Sequence, residues 1–134
     1  MTPWSGQVGR GTRTALGWAA LVGLTAVAAG AFGAHRVADP RVKAWLQTGA
    51  EYGLIHALAA IAAIGLSLAG ARSARAAAWM FLAGASIFSG SLYLLALSGR
   101  LWLGAITPIG GVLLLAGWAW LAWTGYRFRA APSS

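Results

Sequence analysis

The 134-residue chain contains no cysteine. Disulfides, thiolate–metal sites and redox-thiol chemistry are therefore excluded, and with them the membrane thiol oxidoreductases. Charge is nearly as scarce. Charged residues make up 9% of the chain, where a soluble domain carries roughly 25%. That is too few to cover a water-facing surface, so lipid must be the solvent for most of the chain. Only Asp39 and Glu51 are acidic. Di-iron carboxylate chemistry, which needs several Glu and paired Glu-x-x-His motifs on facing helices, is excluded by that count.

The net charge of +8 does not point to nucleic acid. The basic residues are scattered over the segment ends and form no patch or stripe. Membrane proteins place Lys and Arg there to meet lipid headgroups.

What the chain has in abundance is hydrocarbon: 59% of its residues are hydrophobic, and 19 are glycine. Four apolar runs stand out, 14–34, 50–71, 76–97 and 101–125. Each is long enough, at about 20 residues, to cross a ~30 Å hydrocarbon layer. The rest is a flexible tail (1–13), one loop, two tight turns and a stub at 127–134, which leaves no room for a soluble catalytic domain. The expected fold is all-α: an integral membrane bundle of four transmembrane helices, up-down-up-down, in one domain over 14–126. Arg10 and Arg13 ahead of the first run resemble a signal peptide. The run is too long for an h-region and Phe32-Gly33-Ala34 is no A-x-A site, so an uncleaved first helix is expected.

Local signals refine this plan. Asp39-Pro40 is a helix start, with Asp as N-cap and Pro at the first helical position. It opens either a short interfacial helix between helices one and two or simply the solvated first turns of helix two. Ser98-Gly99-Arg100 is a turn so short that helices three and four must be antiparallel neighbours. Gly23 and Gly30 share a face of helix one, and Gly30, Gly33, Gly90, Gly110 and Gly111 are expected where helix backbones approach closely. Pro108 is expected to break helix four, with Thr107 compensating a freed carbonyl. Trp18, Trp45, Trp79, Trp102, Trp120 and Trp123 are expected at the membrane interfaces. Six basic residues fall on the side of the two termini and four on the other, so the positive-inside rule places both termini in the cytoplasm.

The chemistry-bearing side chains gather at one end. His35 lies at the exit of helix one, and Glu51, Tyr52 and His56 at the entry of helix two. Ser89, Ser91 and Tyr93 lie near the exit of helix three, and Thr107 and Pro108 near the entry of helix four. In an up-down-up-down bundle all of these share a membrane face, with His56 about 7 Å deeper than Glu51 at 1.5 Å per residue. Such a cluster either locks the bundle through hydrogen bonds or forms a ligand, ion or proton site.

Four motifs, G-A-F-G-A-H at 30–35, W-L-Q-T-G-A-E-Y-x-x-x-H-A-L-A at 45–59, F-S-G-S-L-Y at 88–93 and T-P-I-G-G at 107–111, resemble the domain-of-unknown-function 423 family. That family includes the transmembrane protein 256-like proteins. The resemblance covers roughly residues 14–126 and implies a small four-helix bacterial inner-membrane protein with no established activity, substrate or cofactor. It carries over His35, Trp45, Glu51, Tyr52, His56, Ser89, Gly90, Ser91, Tyr93, Thr107, Pro108 and Gly111 as motif positions only.

The leading functional expectation is a non-enzymatic membrane protein that assembles with or regulates another membrane protein or a second copy of itself. A small transporter or channel using His56 and the Pro108 break is the alternative. A haem or zinc site built on His35, Glu51 and His56, or a lipid-modifying pair of histidine and carboxylate, ranks behind both. No resident cofactor is expected.

Overall fold

The computed structural model describes residues 8–128. Most of the tail and of the carboxy-terminal stub, including Arg129 of the charge count, lies outside the described residues. Four helices follow one another: α1 (Arg10–Arg36), α2 (Pro40–Leu68), α3 (Ala74–Ser98) and α4 (Thr107–Arg127). A 3₁₀ turn, Leu101–Ala105, leads into α4. All four spans, the turn counted with the last, are long and apolar enough to cross a membrane.

The helix ends obey their local chemistry. Asp39 caps α2, its side chain accepting from the Arg41 amide at 2.8 Å, with Pro40 in the first turn. α2 then runs unbroken to Leu68, so the residues after Asp39 are its solvated first turns and not a separate interfacial helix. At 29 residues it is about 43 Å long and outruns the hydrocarbon, which leaves Arg41 and Lys43 in the headgroups. Gly99 ends α3 in the left-handed region (φ 68°), its amide returning to the Leu95 carbonyl at 2.8 Å. α1 begins at Arg10, one turn earlier than expected, because nothing in Gly11–Arg13 stops a helix.

Pro108 does not break a helix. It sits in the first turn of α4, where a missing amide proton is harmless because first-turn amides have no intrahelical acceptor. The irregular backbone expected inside the span is instead the 3₁₀ turn ahead of it.

α3 is the central element. It packs on α1, α2 and α4, and 44% of its apolar span is buried against 17% for α4. α1 and α2 pack on each other and on α3, whereas α4 rests essentially on α3 alone. The interior is made of small residues: Ala60, Ala63, Ala74, Ala77, Ala78 and Ala85 are fully buried around Phe81 and Leu82. Large side chains such as Leu21, Leu24, Val27 and Leu97 face outward. Lipid is as apolar as leucine, so nothing drives large side chains inward, and close packing of small ones holds the helices together.

Glycine placement shows how close the approach is. A Cβ on Gly110 would fall 2.4 Å from the Phe88 amide nitrogen and 2.8 Å from the Gly84 carbonyl oxygen, so α4 touches the α3 backbone there. Gly33 and Gly30 meet Leu46 and Ala50 of α2 at 3.1 and 3.4 Å, as expected of packing positions. Gly111 makes only ordinary contact with the Phe88 ring. Gly23 and Gly90 have nothing within 4 Å and are not packing sites. Their places are taken by Gly49 and Gly53 on α2, Gly84 on α3 and Gly117 on α4.

Candidate functional site

Because α4 rests on α3, it stands away from α2. A groove of about 620 Å³ opens between them. α2 contributes Glu51, Tyr52, Ile55 and His56; α4 contributes a stripe from Pro108 through Gly111, Val112 and Leu115 to Trp118. Phe88 of α3 forms part of the floor. The α4 positions are spaced three and four apart, one face of a helix.

The register places His56 deeper than expected. Gly49 faces Tyr93 and Gly53 faces Ser89, so in antiparallel helices His56 stands level with residue 86, the middle of α3. There it is 5% exposed. Its Nδ1 lies 2.7 Å from the Tyr52 carbonyl oxygen, and the Trp118 indole N–H donates to its Nε2 at 3.0 Å. A carbonyl only accepts and an indole N–H only donates, so the ring is the neutral Nδ1–H tautomer with both nitrogens engaged. Aromatic packing fixes the plane as well: Tyr52 is stacked at 5.9 Å, Phe81 is tilted at 5.7 Å and Trp118 presents its edge at 5.9 Å. His56 is thus the latch between α2 and α4, across a gap that the backbones leave open.

The other expected site residues divide into separate pairs. Ser89 donates to the Gly49 carbonyl at 2.7 Å, joining α3 to α2. Ser91 and Thr107 share a 2.7 Å hydrogen bond, joining α3 to the start of α4. Ser91 also reaches the Phe88 carbonyl at 2.9 Å and Thr107 the Leu103 carbonyl at 3.5 Å, so either hydroxyl can be the donor in the shared bond. Tyr93 lays its ring on Gly49. Its hydroxyl is buried next to Ser89, whose proton goes to Gly49, and makes no well-aligned hydrogen bond among the described residues. His35 and Glu51 are exposed. No three His, Asp or Glu side chains among the described residues come together to hold a metal ion. The expected cluster is therefore a set of interhelical links at one end plus a groove, with Glu51 at its rim.

Two assignments need correction. Trp18 is not interfacial: its indole donates to Ser86 at 2.8 Å, which draws it to mid-span between α1 and α3. Trp45, near the start of α2, is partly buried against Leu92, Leu95 and Leu103, and Trp79 and Trp102 are exposed. Polar links are also not confined to one end. At the end bearing the termini the Arg75 guanidinium donates to the buried Thr12 hydroxyl. There too Ser73 donates to Thr124 at 3.0 Å, and Trp120 donates to the Ser73 carbonyl at 2.9 Å. Trp123 stacks with Tyr126 and lies under the Arg127 guanidinium, 5.5 Å from its ring centre.

The residue sequence reasoning missed is Trp118. Its spacing from Pro108, Gly111 and Leu115 was the available signal, since it shares their stripe and Trp120 does not.

Comparison with known proteins fits this architecture. The chain matches the family described as "Protein of unknown function (DUF423)" over residues 29–111. It is 47% identical to the UPF0382 inner membrane protein YgdD of Escherichia coli, over 81% of this chain and 86% of that protein. It is 41% identical to the UPF0382 membrane protein YwdK of Bacillus subtilis, over 74% of this chain and 85% of that protein. The UPF0382 membrane protein of Haemophilus influenzae is 38% identical over 83% and 92%, respectively. No solved structure matches the chain.

Proposed function

The chain belongs to the DUF423 family of multi-pass membrane proteins, and on that premise we propose that it is a non-enzymatic protein that works by binding from within the bilayer, with the α2–α4 groove as its recognition surface. The observation that carries this reading is the open groove itself. α3 and its neighbours bury their faces against one another, yet α2 and α4 leave between them a space lined by an exposed carboxylate, aromatic rings and aliphatic side chains. Small-molecule and partner sites in helical membrane proteins sit between helices in this way.

The geometry weighs against transport. A proton relay needs a histidine with a nitrogen to spare, and both nitrogens of His56 are engaged. A broken helix needs backbone freed inside the span, and Pro108 is at a helix start. It weighs against catalysis in the same way, since the neutral, latched imidazole has no free nitrogen to act as base.

A photo-crosslinking residue at Val112, in the groove, compared with one at Leu24, on the outer face of α1, tests the reading in native membranes. Specific adducts, to a membrane-protein partner, a second copy or a small molecule, are expected from Val112 and not from Leu24. Equal, diffuse labelling of bulk lipid from both positions would falsify it. We further propose that both termini face the cytoplasm, from the excess of basic residues on that side. A cysteine at position 36 that reacts only from the cytoplasmic side sinks that orientation.

A further inference from the structure

The chain has two acidic side chains and ten Lys and Arg residues. Asp39 is spent on capping α2. Of the two acidic side chains, that leaves Glu51 not engaged in a cap, and it stands on the rim of the α2–α4 groove. Among the described residues no Lys or Arg lines the groove. Below Glu51 the walls are aromatic and aliphatic. Tyr52 and Phe88 pack at 4.7 Å, Val112 and Leu115 continue the α4 wall, and Trp118 closes the deep end. From Pro108 to Trp118 the groove follows ten residues of helix, about 15 Å.

This distribution selects the charge of an occupant. An anionic head would meet a carboxylate and no cationic partner. A purely apolar chain would fill the walls but leave Glu51 unused. An ammonium head satisfies both, since it pairs with the carboxylate at the rim of the groove, about 7 Å from the level of His56, and lies against the aromatic rings just below it. The volume of about 620 Å³ is that of a small-molecule site.

Resting on the reading of the groove as a recognition surface, we propose that its occupant is a membrane-dissolved cationic amphiphile. The ammonium sits against Glu51 and Tyr52, and the apolar body lies along Phe88, Val112 and Leu115 toward Trp118. Entry is lateral, from the lipid leaflet.

The test uses the full chain in phosphatidylcholine nanodiscs and three probes of one chain length: dodecyltrimethylammonium, dodecanol and dodecyl phosphate. Binding is read by thermal stabilisation and by tryptophan quenching with the same probes brominated at the chain end. The ammonium probe is expected to stabilise the wild type and to quench saturably. The alcohol and the phosphate should bind at least about tenfold more weakly, the scale of one charge contact. Glu51→Gln should weaken ammonium binding by about tenfold and leave the alcohol unchanged. Leu115→Trp, which fills the groove, should abolish binding of all three, and Trp79→Phe should change nothing. Equal affinity for the three head groups overturns the cationic assignment while the groove survives as a recognition surface. Absence of saturable binding by any probe, in protein of normal thermal stability, overturns the amphiphile altogether. Crosslinks from Val112 to a second copy that persist in the presence of the ammonium probe do the same, and they leave the recognition surface standing with a different occupant.

Discussion

Replacing Gly110 by alanine adds one methyl group at the tightest point of the molecule. The new Cβ would lie 2.4 Å from the Phe88 amide nitrogen and 2.8 Å from the Gly84 carbonyl oxygen. Both are backbone atoms in the middle of α3, so no side chain can swing away to make room. Ordinary contact begins near 3.4 Å, so α4 must withdraw by about 1 Å. Such a gap forfeits a quarter to a half of each dispersion contact it opens, and beyond α3 the tie that α4 can fall back on is the Trp118–His56 hydrogen bond to α2. Its withdrawal also loosens Leu114 against Gly84 and Gly117 against the Phe81 ring. The expected cost is about 3 kcal/mol, the upper part of the range for overpacking a tight core. Reversible unfolding in bicelles by steric trapping measures it directly. Gly117→Ala should follow in severity, because the fully buried Phe81 ring it meets at 2.7 Å has nowhere to go. Gly84→Ala should be of similar severity, since its Cβ would meet the buried Leu114 side chain at 2.7 Å and the Gly110 carbonyl oxygen, a backbone atom, at 3.0 Å. Gly90→Ala and Gly23→Ala, with nothing within 4 Å, should be neutral or stabilising by up to about 1 kcal/mol from helix propensity. A Gly110→Ala protein as stable as wild type, or a Gly90→Ala protein equally damaged, would refute the argument that α4 is held by backbone contact.

Trp118→Phe keeps an aromatic ring beside Phe81 but removes the donor to His56 Nε2, leaving a buried acceptor unpaired at a cost of about 1–2 kcal/mol. Imidazole nitrogen NMR of the wild type should show a single Nδ1–H tautomer, and an Nε2–H signal would contradict the latch. Asp39→Ala removes the cap of α2, about 1 kcal/mol locally. Amide exchange should quicken in the first turn, near Arg41 and Lys43, with little change in global stability; unchanged exchange there would mean that the cap is idle. A double-mutant cycle of Ser91→Ala with Thr107→Val should return a coupling of about 0.6 kcal/mol, typical of interhelical hydrogen bonds in lipid. Zero coupling would show that their hydrogen bond does not hold α3 to α4.

Much of the plan was legible because it is local. The Asp39 cap, the Gly99 stop and the length of each apolar run depend on residues within a turn or two. The residues of the polar end were legible as types, and Ser89, Ser91 and Thr107 do link helices. Their arrangement into separate pairs was not legible, nor was the partnership of His56 with Trp118, because those depend on how far one helix is rotated and slid against the next.

In a water-soluble bundle the apolar stripe of each helix reveals its inner face. In this chain the outer face is as apolar as the inner, so the sequence by itself determined an all-α membrane protein with four spans, their caps and their turns. It could not say which glycines touch: Gly110 and Gly117 meet α3, whereas Gly23 and Gly90 open onto space. It could not say that Pro108 begins a helix rather than interrupting one. Only the tertiary structure decided that α4 leans on α3 and away from α2. The groove bearing Glu51 follows from that choice, which rests on close backbone contact at Gly84 and Gly110, a short-range force that no pattern of hydropathy records.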